Sequence, residues 1–118
     1  MRALLEHERP LVTYLFELAA LAVDLDALRV KPMSDGGMGS LAILPLDDTR
    51  KYGSSPGKCH FYDVDGVPVS AELNLDQDGA PYEIDVWKVD FSPTVAWPSR
   101  QELRAGPPNN RIERTRES

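Results

Sequence analysis

The chain is poor in cysteine and histidine. One cysteine, Cys59, and two histidines, His7 and His60, are found in 118 residues. A lone cysteine excludes an intrachain disulfide and points to a reducing compartment, so a cytoplasmic protein is expected. Long apolar runs are missing too. No stretch approaches the roughly 18 apolar residues of a membrane span. The most apolar N-terminal segment, near Leu11–Val23, carries Glu17 and follows Glu6 and Glu8, which spoils it as a secretory leader. Basic residues are outnumbered: 13 Lys and Arg face 19 Asp and Glu, for a net charge of −6. Nonspecific nucleic-acid binding rests on neutralising phosphates with Lys and Arg, so that class is disfavoured. Beyond Pro98, five arginines face three glutamates, a local charge of +2, which leaves −8 on residues 1–98. A basic protein is the partner this balance favours.

Catalytic and cofactor fingerprints are equally scarce. No Ser-His-Asp or Cys-His spacing supports a nucleophile. Cys59 and His60 are adjacent, and neighbouring strand residues face opposite sides. The stretch SDGGMGS has the glycines of a phosphate loop, but Ser40 and Leu41 follow Gly39 where a P-loop requires Lys and then Ser or Thr. Asp35, Gly36, Gly37 and Gly39 therefore read as a tight turn needing special backbone angles, with an anion cradle as the other reading. DVDG (63–66) and DQDG (76–79) resemble half a calcium loop, yet strands flank both where an EF-hand has helices. No cofactor and no metal are expected.

What the chain does have is alternation. Val69, Ala71, Leu73 and Leu75 alternate with Ser70, Glu72 and Asn74, and Tyr82, Ile84 and Val86 alternate with Glu83, Asp85 and Trp87. Period two marks half-buried strands, and DQDG between them supplies hairpin-turn residues. Leu11, Val12, Leu15, Leu18, Ala19 and Ala22 recur at helical spacing, which predicts one helix over 5–22, regular from about residue 7 to 9 because Pro10 fits only a first turn. Short strands are expected at 27–31, 41–44 and 58–63, and a loop over 47–57. With 42% hydrophobic residues the chain can bury a core. The expected fold is α+β, the N-terminal helix packed on a mostly antiparallel sheet of about five strands. Residues 1–98 form one domain, and 99–118 a polar, largely disordered tail, with 104–118 disordered because Ile112 is almost its only aliphatic residue.

Register then defines a surface. If Val64-Asp65-Gly66 is a three-residue turn, Phe61 faces Val69 and Cys59 faces Ala71 on the core side. Lys58, His60, Tyr62, Glu72, Glu83, Asp85 and Trp87 then share the opposite face. A solvated charged face, a protein-binding face with Tyr and Trp anchors, and an acid–base site are all compatible with these residue types. Val89 and Phe91 extend the face with apolar residues. Either a bulge near Trp87 swaps sides, or the far end of the strand is covered on both faces with Trp87 and Phe91 in the core.

DGGMGSL (35–41), YEIDVWKVDFSPTVAWP (82–98) and the start MRALLEHERPL resemble a family of small bacterial proteins known only as a domain of unknown function, over residues 1–98. The resemblance implies a bacterial, cytoplasmic protein and assigns no catalytic residue. The functional expectation is a non-enzymatic protein-binding module, in an immunity-like, toxin-neutralising form. The alternative is a small-ligand-binding protein or hydrolase using His60, Glu72 and Asp85.

Overall fold

The computed structural model describes residues 1–108. Among these lie a helix, α1 (Arg9–Leu18), and six strands: β1 (Val30–Pro32), β2 (Leu41–Ile43), β3 (Tyr52–Tyr62), β4 (Pro68–Asp76), β5 (Pro81–Lys88) and β6 (Arg104–Ala105). All pair antiparallel in the order β1-β2-β5-β4-β3-β6. The α+β architecture is as expected, with six strands where about five were foreseen. No described helix is long and apolar enough to cross a membrane.

α1 begins after a single 3-10 turn, Glu6–Glu8, and takes Pro10 in its first turn, where a missing N–H costs nothing. It ends four residues earlier than its apolar pattern predicts. Ala20 adopts φ +58, and the Ala20 and Leu21 amides donate to the Glu17 and Phe16 carbonyls. That pair of bonds is a Schellman stop, in which a left-handed residue caps the last carbonyls. Leu11, Val12, Leu15 and Phe16 are buried on the side of α1 that packs on β3 and β4, against a core that includes Cys59, Phe61, Val69, Ala71 and Leu73. Close approach is possible because Gly57 has no side chain; a Cβ there would strike the Leu15 carbonyl.

The pairing carries the predicted parity. Cys59 faces Ala71, Phe61 faces Val69, and Leu73 faces Ile84. Three expectations are corrected. First, the loop foreseen over 47–57 is strand from Tyr52 onward; two register shifts between Tyr52 and Gly57 erase the alternation that would have announced it. Its beginning is pinned by Arg50, which bonds Asp76 Oδ2 at 2.9 Å and the carbonyls of Ile43, Pro45 and Pro81, with its guanidinium 5.2 Å from the Tyr82 ring centre. Second, the chain does not leave the body after Pro98. Residues 100–102 form a 3-10 turn, Leu103 is buried, and β6 pairs Ala105 with Cys59 and Arg104 with His60. The segment expected to be disordered from residue 104 is thus docked as far as Pro108, and the expectation for 109–118 lies outside the described residues. Third, of the two alternatives for the far end of β5, the bulge near Trp87 does not occur: β5 pairs regularly with β4 from Glu83 to Lys88.

Candidate functional site

One sheet face packs on α1; the other carries the residues the alternation grouped together. Across three strands, Lys58 stands directly opposite Glu72, and Glu72 opposite Asp85. The next row toward the far end is His60, Ser70 and Trp87. In the other direction, Ser55 Oγ donates to Asn74 Oδ1 at 2.7 Å, and Asn74 Nδ2 donates to Glu83 Oε1 at 2.9 Å. Glu72, Glu83 and Asp85 therefore lie on one face of two neighbouring strands. Among the described residues, none of these three carboxylates forms an ion pair within 4.0 Å, and neither does Lys58.

Asp85 differs from its neighbours. Burial pushes its carboxyl above the ordinary value, and the charge of nearby Asp35 adds to the effect, while a hydrogen bond from Ser40 Oγ at 3.3 Å opposes it. Ser40 also links β2 to β5, since its hydroxyl accepts the Val86 amide at 2.8 Å.

Beyond this polar row the face opens into a shallow cleft of about 710 Å³, lined by Lys58, Ser70, Glu72, Trp87, Val89, Phe91 and Pro107 among others. Trp87 is half-buried in it. Phe91 was expected in the core and is instead 72% exposed, on a backbone at φ +64. Bulky residues rarely adopt this region, and the strain persists only where the surroundings enforce it. They do so here: the Phe91 amide donates to the Lys88 carbonyl at 2.8 Å, and Asp90 Oδ1 accepts both the Ser92 amide and its hydroxyl.

The anchor behind this turn is a buried ion pair that sequence reasoning missed. Lys88 falls on the core side of β5 and is fully buried. Its Nζ donates to Asp63 Oδ2 at 2.9 Å and to Asp65 Oδ2 at 2.6 Å. Asp63 in turn accepts the amides of Val64, Val95 and Ala96. Burial alone would raise the Asp63 pKa, but these bonds overcome it and bring the value down to about 2. The partnership likewise raises Lys88. The Lys88 ammonium has no free electron pair, and the Asp63 carboxylate is inaccessible with both oxygens taken by hydrogen bonds, so the pair is structural; it clamps residues 93–96 to the β3–β4 turn. The two half-calcium-loop stretches are explained alike, with Asp63 and Asp65 serving Lys88, and Asp76 serving Arg50 and the amides of its own turn.

The remaining candidates fall as follows. Tyr62 is on the outer face and exposed. His60 shares the face but is buried under the C-terminal segment, its Nδ1 2.8 Å from the Gly106 carbonyl. It sits in the row of Ser70 and Trp87, so Glu72 is diagonal to it on the neighbouring strand and Asp85 lies one strand further away. In the glycine-rich turn, Gly36, Gly37 and Gly39 all have positive φ. The Met38 and Ser40 amides, which could have cradled a foreign anion, donate to the Asp35 carboxylate at 3.1 and 2.8 Å. Against the opposing effect of burial, those bonds keep Asp35 below its usual pKa. Gly39 is also where a Cβ would come 2.6 Å from the Trp97 ring, so the turn and the Ala-Trp-Pro end of the second motif meet. His7 packs edge-on against Trp97 at 5.5 Å. The turn, His7 and Trp97 line a second cavity of about 490 Å³.

Fold and site define a small α+β domain whose helix covers one sheet face and leaves an acidic, aromatic-rimmed face open. The chain belongs to the family described as Domain of unknown function (DUF6984), which matches residues 1–98. No curated protein and no solved structure gives a match.

Proposed function

We propose that this domain is a non-enzymatic protein-recognition module and that the open sheet face is its contact surface. The observation that carries the reading is Phe91, an aromatic side chain held out to solvent on a strained backbone at the rim of a cleft that Trp87 floors. Large aromatics at a cleft, ringed by polar groups, are the usual anchors of protein interfaces. The surplus of carboxylates on the same face suits a basic partner, and an immunity-like role against a basic toxin is one form of this reading. A hydrolase built on His60, Glu72 and Asp85 has less support, because His60 is covered by Gly106, is only diagonal to Glu72 and is two strands from Asp85.

Photo-crosslinking tests the reading. A benzophenone amino acid placed at position 91, and separately at exposed position 17 on α1, is used to trap partners in an extract of the native host. The expected result is one dominant adduct from position 91, abolished by Trp87→Ala and absent from position 17. Equal adducts from both positions, or a position-91 adduct indifferent to Trp87→Ala, would reject the face as a recognition surface.

A further inference from the structure

Resting on that recognition reading, we infer that the cleft seats an arginine side chain presented beside an apolar residue on a partner segment. Glu72 lines the cleft, and Asp85, just outside that lining, faces it from the neighbouring strand, where opposed Cβ atoms are about 4.5–5.5 Å apart. A single guanidinium can therefore reach both carboxylates. Neither has a cation within 4.0 Å among the described residues. Lys58 is opposite Glu72 but exposed, and it is one positive charge against the three carboxylates of Glu72, Glu83 and Asp85. Glu83 is already engaged by Asn74, and Asp85 accepts one long bond, 3.3 Å from Ser40 Oγ, on Oδ1, which leaves Glu72 and the second Asp85 oxygen for an incoming donor.

The aromatic chemistry narrows the choice of cation. Trp87 follows Asp85 by two residues on the same strand, so its ring is on the same face and beside the carboxylate pair. A planar guanidinium can stack on an indole while its edge donates to carboxylates; a lysine ammonium, a compact and strongly hydrated charge, cannot do both as well. Past Trp87, the exposed side chains of Val89 and Phe91 and the ring of Pro107 form an apolar wall that fits an aliphatic neighbour of the arginine. A second copy of the chain is a poorer occupant. Each copy carries a net charge of −6 and would bring the same carboxylates against each other.

The test is a titration of the isotope-labelled full chain, followed by amide and indole chemical shifts. The probes are acetyl-Leu-Arg-Leu-amide and its lysine and citrulline counterparts. The arginine peptide should shift Glu72, Asp85, the Trp87 indole N–H and Phe91. Its affinity should exceed that of the lysine peptide by about fivefold or more and fall steeply toward about 0.3 M salt, and the citrulline peptide should be silent. Glu72→Gln with Asp85→Asn should weaken arginine binding roughly tenfold or more. Equal response to citrulline, shifts centred elsewhere, dimerisation through this face in sedimentation, or binding that emerges only after cleavage behind Pro108 would each overturn the inference. Absence of peptide binding alongside a Trp87-dependent adduct at position 91 would reject the arginine seat and leave the recognition reading standing. Loss of both would reject the two together.

Discussion

Replacing Asp63 by Asn is the sharpest test of how this fold holds its open face. The side chain is inaccessible to solvent and accepts four hydrogen bonds, from Lys88 Nζ and the Val64, Val95 and Ala96 amides. An amide in its place has one acceptor oxygen. Whichever way it is flipped, its NH2 group confronts two donors, either Val64 and Ala96 or Val95 and Lys88. Removing one partner of a buried ion pair costs about 3–5 kcal/mol. Asp65 still holds Lys88 at 2.6 Å, which places the expected loss near the lower end, about 3 kcal/mol. For a domain of this size that corresponds to a fall in melting temperature of roughly 10–15 °C. Thermal unfolding followed by circular dichroism at pH 7 reads the shift, and hydrogen exchange should show the Val95 and Ala96 amides released. The acid limb is a second readout. Asp63 has a folded pKa of about 2 against an ordinary 3.8, so its contribution is complete above the ordinary value and is lost as pH falls toward 2. The parent should lose stability steeply across that window and the variant less so. A variant melting within about 3 °C of the parent, with protected Val95 and Ala96 amides, would refute the clamp.

Other perturbations check separate parts of the account. Leu103→Ala should cost about 2–5 kcal/mol by chemical denaturation, since the side chain is only 2% exposed, and truncation after Pro98 should destabilise as well. Ala20→Gly should raise stability by up to about 1 kcal/mol, because Ala20 is exposed and occupies the left-handed cap at φ +58 that glycine adopts without strain. Glu72→Gln with Asp85→Asn should keep or raise the melting temperature at pH 7. The folded Asp85 pKa is raised, so its ionisation disfavours the fold as pH climbs through that value, and Asn removes the effect. Gly39→Ala should destabilise and change the Trp97 fluorescence, since a Cβ at φ +114 meets the indole ring.

Much of the sheet was readable from alternation, and its failures have physical causes. The patterns at 69–75 and 82–86 set the parity of β4 and β5, and the Val64-Asp65-Gly66 turn set their alignment with β3, so the residues of each face follow. Lys88 was not readable because a lysine among strand residues ordinarily signals solvent; its burial depends on Asp63, twenty-five positions earlier. Arg50 was hidden in the same way, its partners scattered over four segments. β6 is two residues long, and its docking depends on one leucine and on bonds from Gly106 to Lys58 and His60, which leave no periodic trace. The exposure of Phe91 was not readable because an aromatic that continues the alternating row of Trp87 and Val89 reads as core. Only the positive φ of that residue, a property of the backbone, turns it outward.

The most direct measurement of the central claim is a hydrogen-exchange footprint of the full chain, free and bound to the partner trapped at position 91. The recognition reading predicts slowed exchange at Glu72–Asn74 and Asp85–Phe91 and no change along the solvent side of α1. Protection confined to α1 or to the glycine-rich turn, with the open sheet face unchanged, would contradict it.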